Sequence, residues 1–297
     1  MSQYTIEVIR GGTSYDLTDM TTYSPNAWQG FGMAPLHRVT TRGPMQHGET
    51  DVGFRLDART IVLSLNVDSD DLETAYDNRE TLFAAFAPTT DPLILQVTYP
   101  GSRTRAIECY LLDGLSGDSA EMQAYFQIVT VRLYAPDPMW YDPTLASRTF
   151  ELGGGGGTGG VVPYEVPYYL GASTLDASET IPYGGNWLTY PEVVITGPIR
   201  DCIITNNSTD EKLDLTGTTI GSSDQYTIVL EYGYKTVTDS SGTNQIADLT
   251  SDSDLATFHL AASPEVAAGN NSITVQGNDA TEETGVMLRW YERFLGI

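Results

Sequence analysis

Thr60-Ile61-Val62-Leu63-Ser64-Leu65-Asn66-Val67 alternates, with Ile61, Leu63, Leu65 and Val67 sharing one face, and two residues later Ser69 opens a helical pattern. A period of two running directly into a longer period reads as a half-buried strand followed by a helix. Ser69 is placed to cap that helix, and Asp70, Asp71 and Glu73 suit its positive N-terminal end. Pro88 ends it. Leu72, Tyr76, Arg79, Phe83 and Phe86 recur at four- and three-residue steps with Leu82 beside them. That stripe is predicted to pack on a sheet, with Arg79 at its edge.

Outward from this stretch the pattern is mostly strand. Tyr4–Arg10 alternates and meets a Gly11-Gly12 turn, and a Gly- and Pro-rich loop region then runs to Gly43-Pro44. Val52–Asp57 precedes the Thr60–Val67 strand so closely that the two are predicted to pair as a hairpin or as neighbours. Strands are also predicted at Leu93–Tyr99, Arg105–Leu112 and Gln123–Tyr134, the first two joined by Pro100-Gly101-Ser102. Ala135-Pro136-Asp137-Pro138-Met139-Trp140-Tyr141-Asp142-Pro143 closes this α+β unit, and the glycine run at 153–160 reads as a flexible linker.

Beyond it come short strands separated by turn signals, at 192–196, 202–206, 212–215, 226–231, 235–238, 256–260, 272–276 and 285–291. Their spacing predicts a β-sandwich or jelly roll. The chain therefore divides into a first domain over 1–143, a Gly-rich linker and connecting segment over 144–190, and a sandwich over 191–297 whose strands can begin earlier.

The 297 residues (32.3 kDa) suit two domains. No apolar run approaches the length of a spanning helix, and no signal peptide is expected. Cys109 and Cys202 are the only cysteines, which excludes a disulfide scaffold and a thiolate zinc site. Against 15 Lys and Arg stand 39 Asp and Glu, for a net charge of −24. Residues 1–150 carry 10 basic and 19 acidic side chains, and residues 151–297 carry 5 and 20. Such a chain repels nucleic acid and anionic membrane surfaces.

Chemistry-bearing motifs are sparse. His37 and His47 sit in the loop region and His259 in a predicted strand, and Gly114-Leu115-Ser116-Gly117 lacks the spacing of a nucleophile elbow. Val161-Val162-Pro163-Tyr164-Glu165-Val166-Pro167 follows the glycine run, and its prolines forbid the helix a phosphate loop requires. Asp68, Asp70 and Asp71 belong to the helix start. Asp248, Asp252 and Asp254 form an acidic loop without the glycine of a calcium-binding EF-hand. No catalytic residue, metal site or cofactor is expected. The aromatic stretch with Tyr183, Trp187 and Tyr190, preceded by Tyr164, Tyr168 and Tyr169, supplies a candidate glycan contact.

Several segments carry a resemblance. In the first half they are Gly43-Pro44 with His47-Gly48, Arg59 opening its strand, Asn78-Arg79-Glu80-Thr81-Leu82, Pro92-Leu93, Ile107-Glu108-Cys109-Tyr110, and the closing 135–142 stretch. In the second half they are Tyr190–Pro198, Ala268–Val275 and the terminal Val286–Gly296. In this order they resemble the distal tail protein (Dit) family of long-tailed bacteriophages.

The resemblance implies a structural virion protein at the tail tip, made in the bacterial cytoplasm. Its mainly β architecture would be an α+β ring-forming domain, a β-sandwich with one helix and a long hairpin, followed by a galectin-like sandwich. The expected partners are five further copies in a six-fold ring, the tail tube protein, a tail-tip or tail-associated lysin protein, and receptor-binding proteins. DNA would pass the lumen only in transit, where acidic side chains would keep it from adhering. The alternative reading is a carbohydrate-binding protein that recognises host glycans through its C-terminal sandwich.

Overall fold

A computed structural model describes residues 4–115, 125–151 and 173–297, and the chain forms two compact units. The first comprises Met1–Pro143 with the C-terminal Phe294–Ile297, and the second comprises Thr144–Arg293.

In the first unit the strands are β1 (Thr5–Arg10), β2 (Thr13–Asp16), β3 (Tyr23–Gln29), β4 (Leu36–Thr41), β5 (Thr50–Leu56), β6 (Arg59–Asp68), β7 (Leu93–Tyr99), β8 (Arg103–Leu111), β9 (Phe126–Ala135) and β10 (Trp140–Tyr141). The main sheet runs β2-β1-β7-β8-β9-β6-β3. Ile61, Leu63, Leu65 and Val67 all point into the core, as their alternation predicts. β6 pairs along its whole length with β9, from Arg59 opposite Ala135 to Asp68 opposite Phe126. Its other neighbour is β3, which carries Pro25 on the path's outer edge, where a missing N–H costs no ladder bond.

The one α-helix among the described residues, α1, spans Leu72–Ala85. Its cap is Asp71 rather than Ser69, with the carboxylate accepting from Thr74 N at 2.8 Å. Ser69 is instead bonded to Asn78 Nδ2 at 3.0 Å. The buried positions are Ala75, Arg79, Leu82 and Ala85, with Phe86 just beyond. Leu72, Tyr76 and Phe83 are about half exposed, which corrects the expected stripe. At 100° per residue these three lie within a narrow arc beside the buried face. The small side chains Ala75 and Ala85 let the helix settle on the neighbouring arc, with Leu82 and Phe86 filling the core.

The expected pairing of Val52–Asp57 with Thr60–Val67 does not form. β5 pairs with β4, inside the stretch read as loop, and the two make a separate two-stranded sheet.

The second unit holds β11 (Ala146–Glu151), β12 (Ser173–Pro182), β13 (Glu192–Thr196), β14 (Ile199–Asn206), β15 (Glu211–Asp214), β16 (Thr219–Ile220), β17 (Gln225–Val229), β18 (Thr236–Asp239), β19 (Asn270–Ala280) and β20 (Gly285–Trp290). One sheet runs β11-β20-β13-β17-β18 and the other β12-β19-β14-β15, with β16 on β14. Val193, Ile195, Ile228 and Leu288 from the first meet Ile181, Ile204, Ile273 and Val275 from the second in one core. That is a β-sandwich.

Two further expectations change. The 144–190 segment contributes β11 and β12 to the two sheets, because Phe150, Leu175 and Ile181 supply the apolar inward side that pairing there requires. The glycine run and Tyr164, Tyr168 and Tyr169 lie outside the described residues. Ala256–Leu260 is a turn-rich segment whose Leu260 only bridges Thr189, its inward side chains Phe258 and Leu260 packing without a ladder.

Candidate interaction surfaces

The β4–β5 hairpin is the most exposed element of the first unit. Leu36 faces Leu56 and Arg38 faces Phe54 in register, while His37 opposite Arg55 and Val39 opposite Gly53 take the other side. Every residue of β4 is exposed. Arg38 lies 5.8 Å from the Phe54 ring centroid and pairs with Asp51 at 2.8 Å.

The tip is built rather than loose. Gln46 N donates to Gly43 O at 3.2 Å, Gly43 N donates to Gln46 Oε1 at 2.8 Å, and Arg42 Nε donates to Gln46 O at 3.2 Å. Met45 sits in this turn at φ +62° with its side chain 99 % exposed. Leu36, Val39, Val52 and Phe54 are further exposed apolar side chains along the hairpin, with Val39 on the side opposite Leu36 and Phe54. Sequence reasoning read β5 as a strand over Val52–Asp57 but missed β4. The signal for β4 was the β-branched run Val39-Thr40-Thr41 between Gly and Pro clusters.

The first unit has a buried anchor at the start of β6. Arg59 is 1 % exposed and donates to four backbone carbonyls, those of Gly30 (2.5 Å), Gly32, Pro138 (2.9 Å) and Leu295 (2.7 Å). Desolvation lowers its pKa from the ordinary guanidinium value. Gly30 must be glycine here, since its φ is +88° and a Cβ would lie 2.4 Å from Thr60 O. Arg105 pairs with Asp142 at 3.1 Å, with its guanidinium 3.4 Å from the Phe294 ring centroid.

In the second unit the three candidate glycan contacts separate. Tyr183 is 3 % exposed; its hydroxyl donates to Trp187 O at 2.5 Å and accepts from Arg293 N at 2.9 Å. Burial raises its pKa well above that of an ordinary phenol. It anchors a loop and offers no ring face to a ligand. Trp187 and Tyr190 are half-buried, and Lys235 Nζ lies 4.5 Å over the Tyr190 ring. The open rings are two that sequence reasoning did not single out. Tyr232 and Tyr234 are 81 % and 71 % exposed around a turn closed by Tyr234 N donating to Glu231 O at 3.0 Å.

The acidic loop is spent on local structure. Asp248 accepts from Tyr226 Oη at 2.7 Å, Asp252 from Lys212 Nζ at 2.5 Å, and Asp254 from Lys212 N at 2.9 Å. No cluster of His, Cys, Asp or Glu suited to hold a metal occurs among the described residues. His37 and His47 lie in the hairpin, and His259 is held by Glu211 (3.0 Å) and Thr257 O (2.8 Å).

Comparison with known proteins bears on these surfaces. Residues 10–108 match the model of the phage tail protein RIFT-related domain family. Across 98 % of this chain and 99 % of the other, the structure superimposes on the Dit protein of phage SPP1, with a TM-score of 0.61 at 15 % identity. The chain has the fold of the Dit protein.

The SPP1 Dit protein is described as a paradigm of the hub adsorption apparatus of phages that infect Gram-positive bacteria. A chain of the phage P2 baseplate in its activated conformation also aligns, over 94 % of this chain and 99 % of the other, at 10 % identity and a TM-score of 0.48. No curated protein sequence matches.

Proposed function

We propose that this chain is a non-enzymatic ring protein at the distal end of a long-tailed phage tail. Six copies join the tail tube protein to the tail-tip or tail-associated lysin protein, and the second domains serve as anchors for receptor-binding proteins. The observation that carries this reading is the β4–β5 hairpin. An ordered two-stranded ribbon with Leu36, Val39, Met45, Val52 and Phe54 in water is a liability in a monomer and an arm in an assembly. A closed ring covers one such arm per subunit with the same heterologous contact repeated around the axis.

Light scattering and negative-stain microscopy of the purified protein test it. The expected result is a particle six times the 32.3 kDa chain with a central hole. A chain that stays at 32.3 kDa after chemical cross-linking at high concentration overturns it. Part of the −24 charge is assigned to the lumen, where it repels phosphate and lets DNA slide. A neutral or basic lumen in a reconstructed ring would reject that assignment.

A second reading, binding of host saccharides by the second domain, is favoured by the exposure of Tyr232 and Tyr234. Sugar rings stack on such open aromatic faces. On this reading, binding to a host polysaccharide is lost in Tyr232→Ala and Tyr234→Ala and weakened in Trp187→Ala. Absence of binding to any host polysaccharide rules it out.

A further inference from the structure

The turn after β17 carries a chemistry more specific than an open aromatic face. Tyr234 N donates to Glu231 O at 3.0 Å and Gly233 takes φ +84°, so Glu231–Tyr234 is a tight turn that needs glycine at its third position. It joins β17 to β18, the strand at the edge of its sheet. Glu231, Tyr232, Gly233 and Tyr234 are all exposed.

The cation next to this turn is directed away from it. Lys235 Nζ donates to Leu230 O at 2.9 Å and lies 4.5 Å from the centroid of the Tyr190 ring. One tyrosine face beside the turn thus already carries an ammonium group, held by the negative face of the ring. Among the described residues no Lys, Arg or His pairs with Glu231, and no cation stands over Tyr232 or Tyr234. Elsewhere in the second unit Arg200, Lys212 and Arg289 are each matched with a carboxylate. Residues 151–297 hold 20 acids against 5 bases, so this domain repels an anionic polymer.

We propose that the 231–234 turn selects an ammonium-bearing saccharide, an amino sugar whose nitrogen is not acetylated. The proposal rests on the saccharide reading above and names the class of sugar. The sugar ring stacks on an open tyrosine face, and its protonated amine is held by the Glu231 carboxylate and the tyrosine rings. A neutral sugar gains the stacking alone, and an anionic one meets Glu231 as a like charge.

Two trisaccharides that differ only at nitrogen test this: the glucosamine trimer and its fully N-acetylated form. Each is titrated calorimetrically into the full chain at about 0.15 M salt, at a pH that keeps the amines protonated. The amino trimer is expected to bind about tenfold tighter, as an exposed cation–π contact and an exposed ion pair together provide. Glu231→Gln is expected to cut that ratio to about threefold and to leave the acetylated trimer's affinity unchanged. Tyr232→Ala combined with Tyr234→Ala is expected to abolish binding of both.

Glu282→Gln removes the same charge at the other end of the sheet, where Gly285 pairs with Thr196 and Thr196 with Gln225. It is expected to change neither affinity. All four side chains are exposed, so every variant is expected to keep the wild-type melting temperature. Equal affinity for the two trimers, a ratio that Glu231→Gln leaves unchanged, or binding of a host polysaccharide but of neither trimer overturns the inference and leaves the saccharide reading standing. A trilysine peptide that binds as tightly as the amino trimer shows a preference for charge alone and overturns it too. A chain that binds neither trimer nor any host polysaccharide overturns both readings.

Discussion

Arg59 shows how one side chain can hold a whole domain. Its guanidinium lies in the core of the first unit, and its donors fan out to carbonyls at residues 30, 32, 138 and 295, in three regions far apart in the chain. Replacing it leaves those carbonyls without their donors, at a cost on the order of 1–3 kcal/mol for each buried group left unsatisfied. Arg59→Met is therefore expected to destabilise the first domain by at least ~3 kcal/mol in urea unfolding. Arg59→Lys should recover only part of this, since an ammonium cannot replace a planar fork. Unchanged unfolding midpoints would show that the fork is dispensable.

The acids of the second domain predict a pH dependence at the same scale. Asp239 accepts from Ser241 and Gln245 side chains and from Thr243 N, and these bonds hold its pKa near about 2, below the usual 3.8. Asp252, bonded to Lys212 and Thr250, is also lowered to about 2. A depressed folded-state pKa contributes stability that is fully present above the unfolded value and lost as pH falls through the folded one. The melting temperature of the second domain is expected to fall between pH 4 and pH 2, less steeply in Asp239→Ala. A flat profile over that range would contradict the assignment.

At the scale of elements, α1 separates a buried face from an exposed apolar one. Leu82 is buried, so Leu82→Ala is expected to cost ~2–5 kcal/mol. Tyr76→Ala and Phe83→Ala should change stability little, which thermal melts will check. Most of the elements were legible. The alternation of β6 identified its inward residues, and the acidic first turn located the helix start to within a few residues.

The rotation of α1 was not legible, because Leu72, Tyr76 and Phe83 satisfy helical periodicity as well as the residues that are buried. Small Ala75 and Ala85 won the core side through their fit to the sheet, a contact that periodicity does not encode. The partner of β5 was hidden for a similar reason. A strand's sequence marks its inward face and not its neighbour, so proximity in the chain suggested β6 when the ladder forms with β4.

For the whole molecule, two separate cores predict two unfolding events. Leu63→Ala, in the first core, is expected to lower one calorimetric transition, and Ile204→Ala, in the second, the other. A single transition displaced equally by both substitutions would show one cooperative unit. The candidate surfaces were the least legible part of the chain. Tyr183, Trp187 and Tyr190 drew attention as an aromatic cluster, yet Tyr183 is spent on an anchor, and the rings left in water are Tyr232 and Tyr234.

By itself the sequence determined the class of the molecule: an α+β first part, a β-rich second part, strong acidity, and a resemblance carried by short segments in order. These are properties of local periodicity and composition, which neighbouring residues settle among themselves. Only the tertiary structure decided which of several apolar side chains are buried. It showed that β4 and β5 form a free-standing ribbon, that α1 turns Leu72, Tyr76 and Phe83 outward, and that the last four residues belong to the first unit. Burial depends on contacts between segments distant in sequence, and interaction surfaces are the apolar groups those contacts leave uncovered.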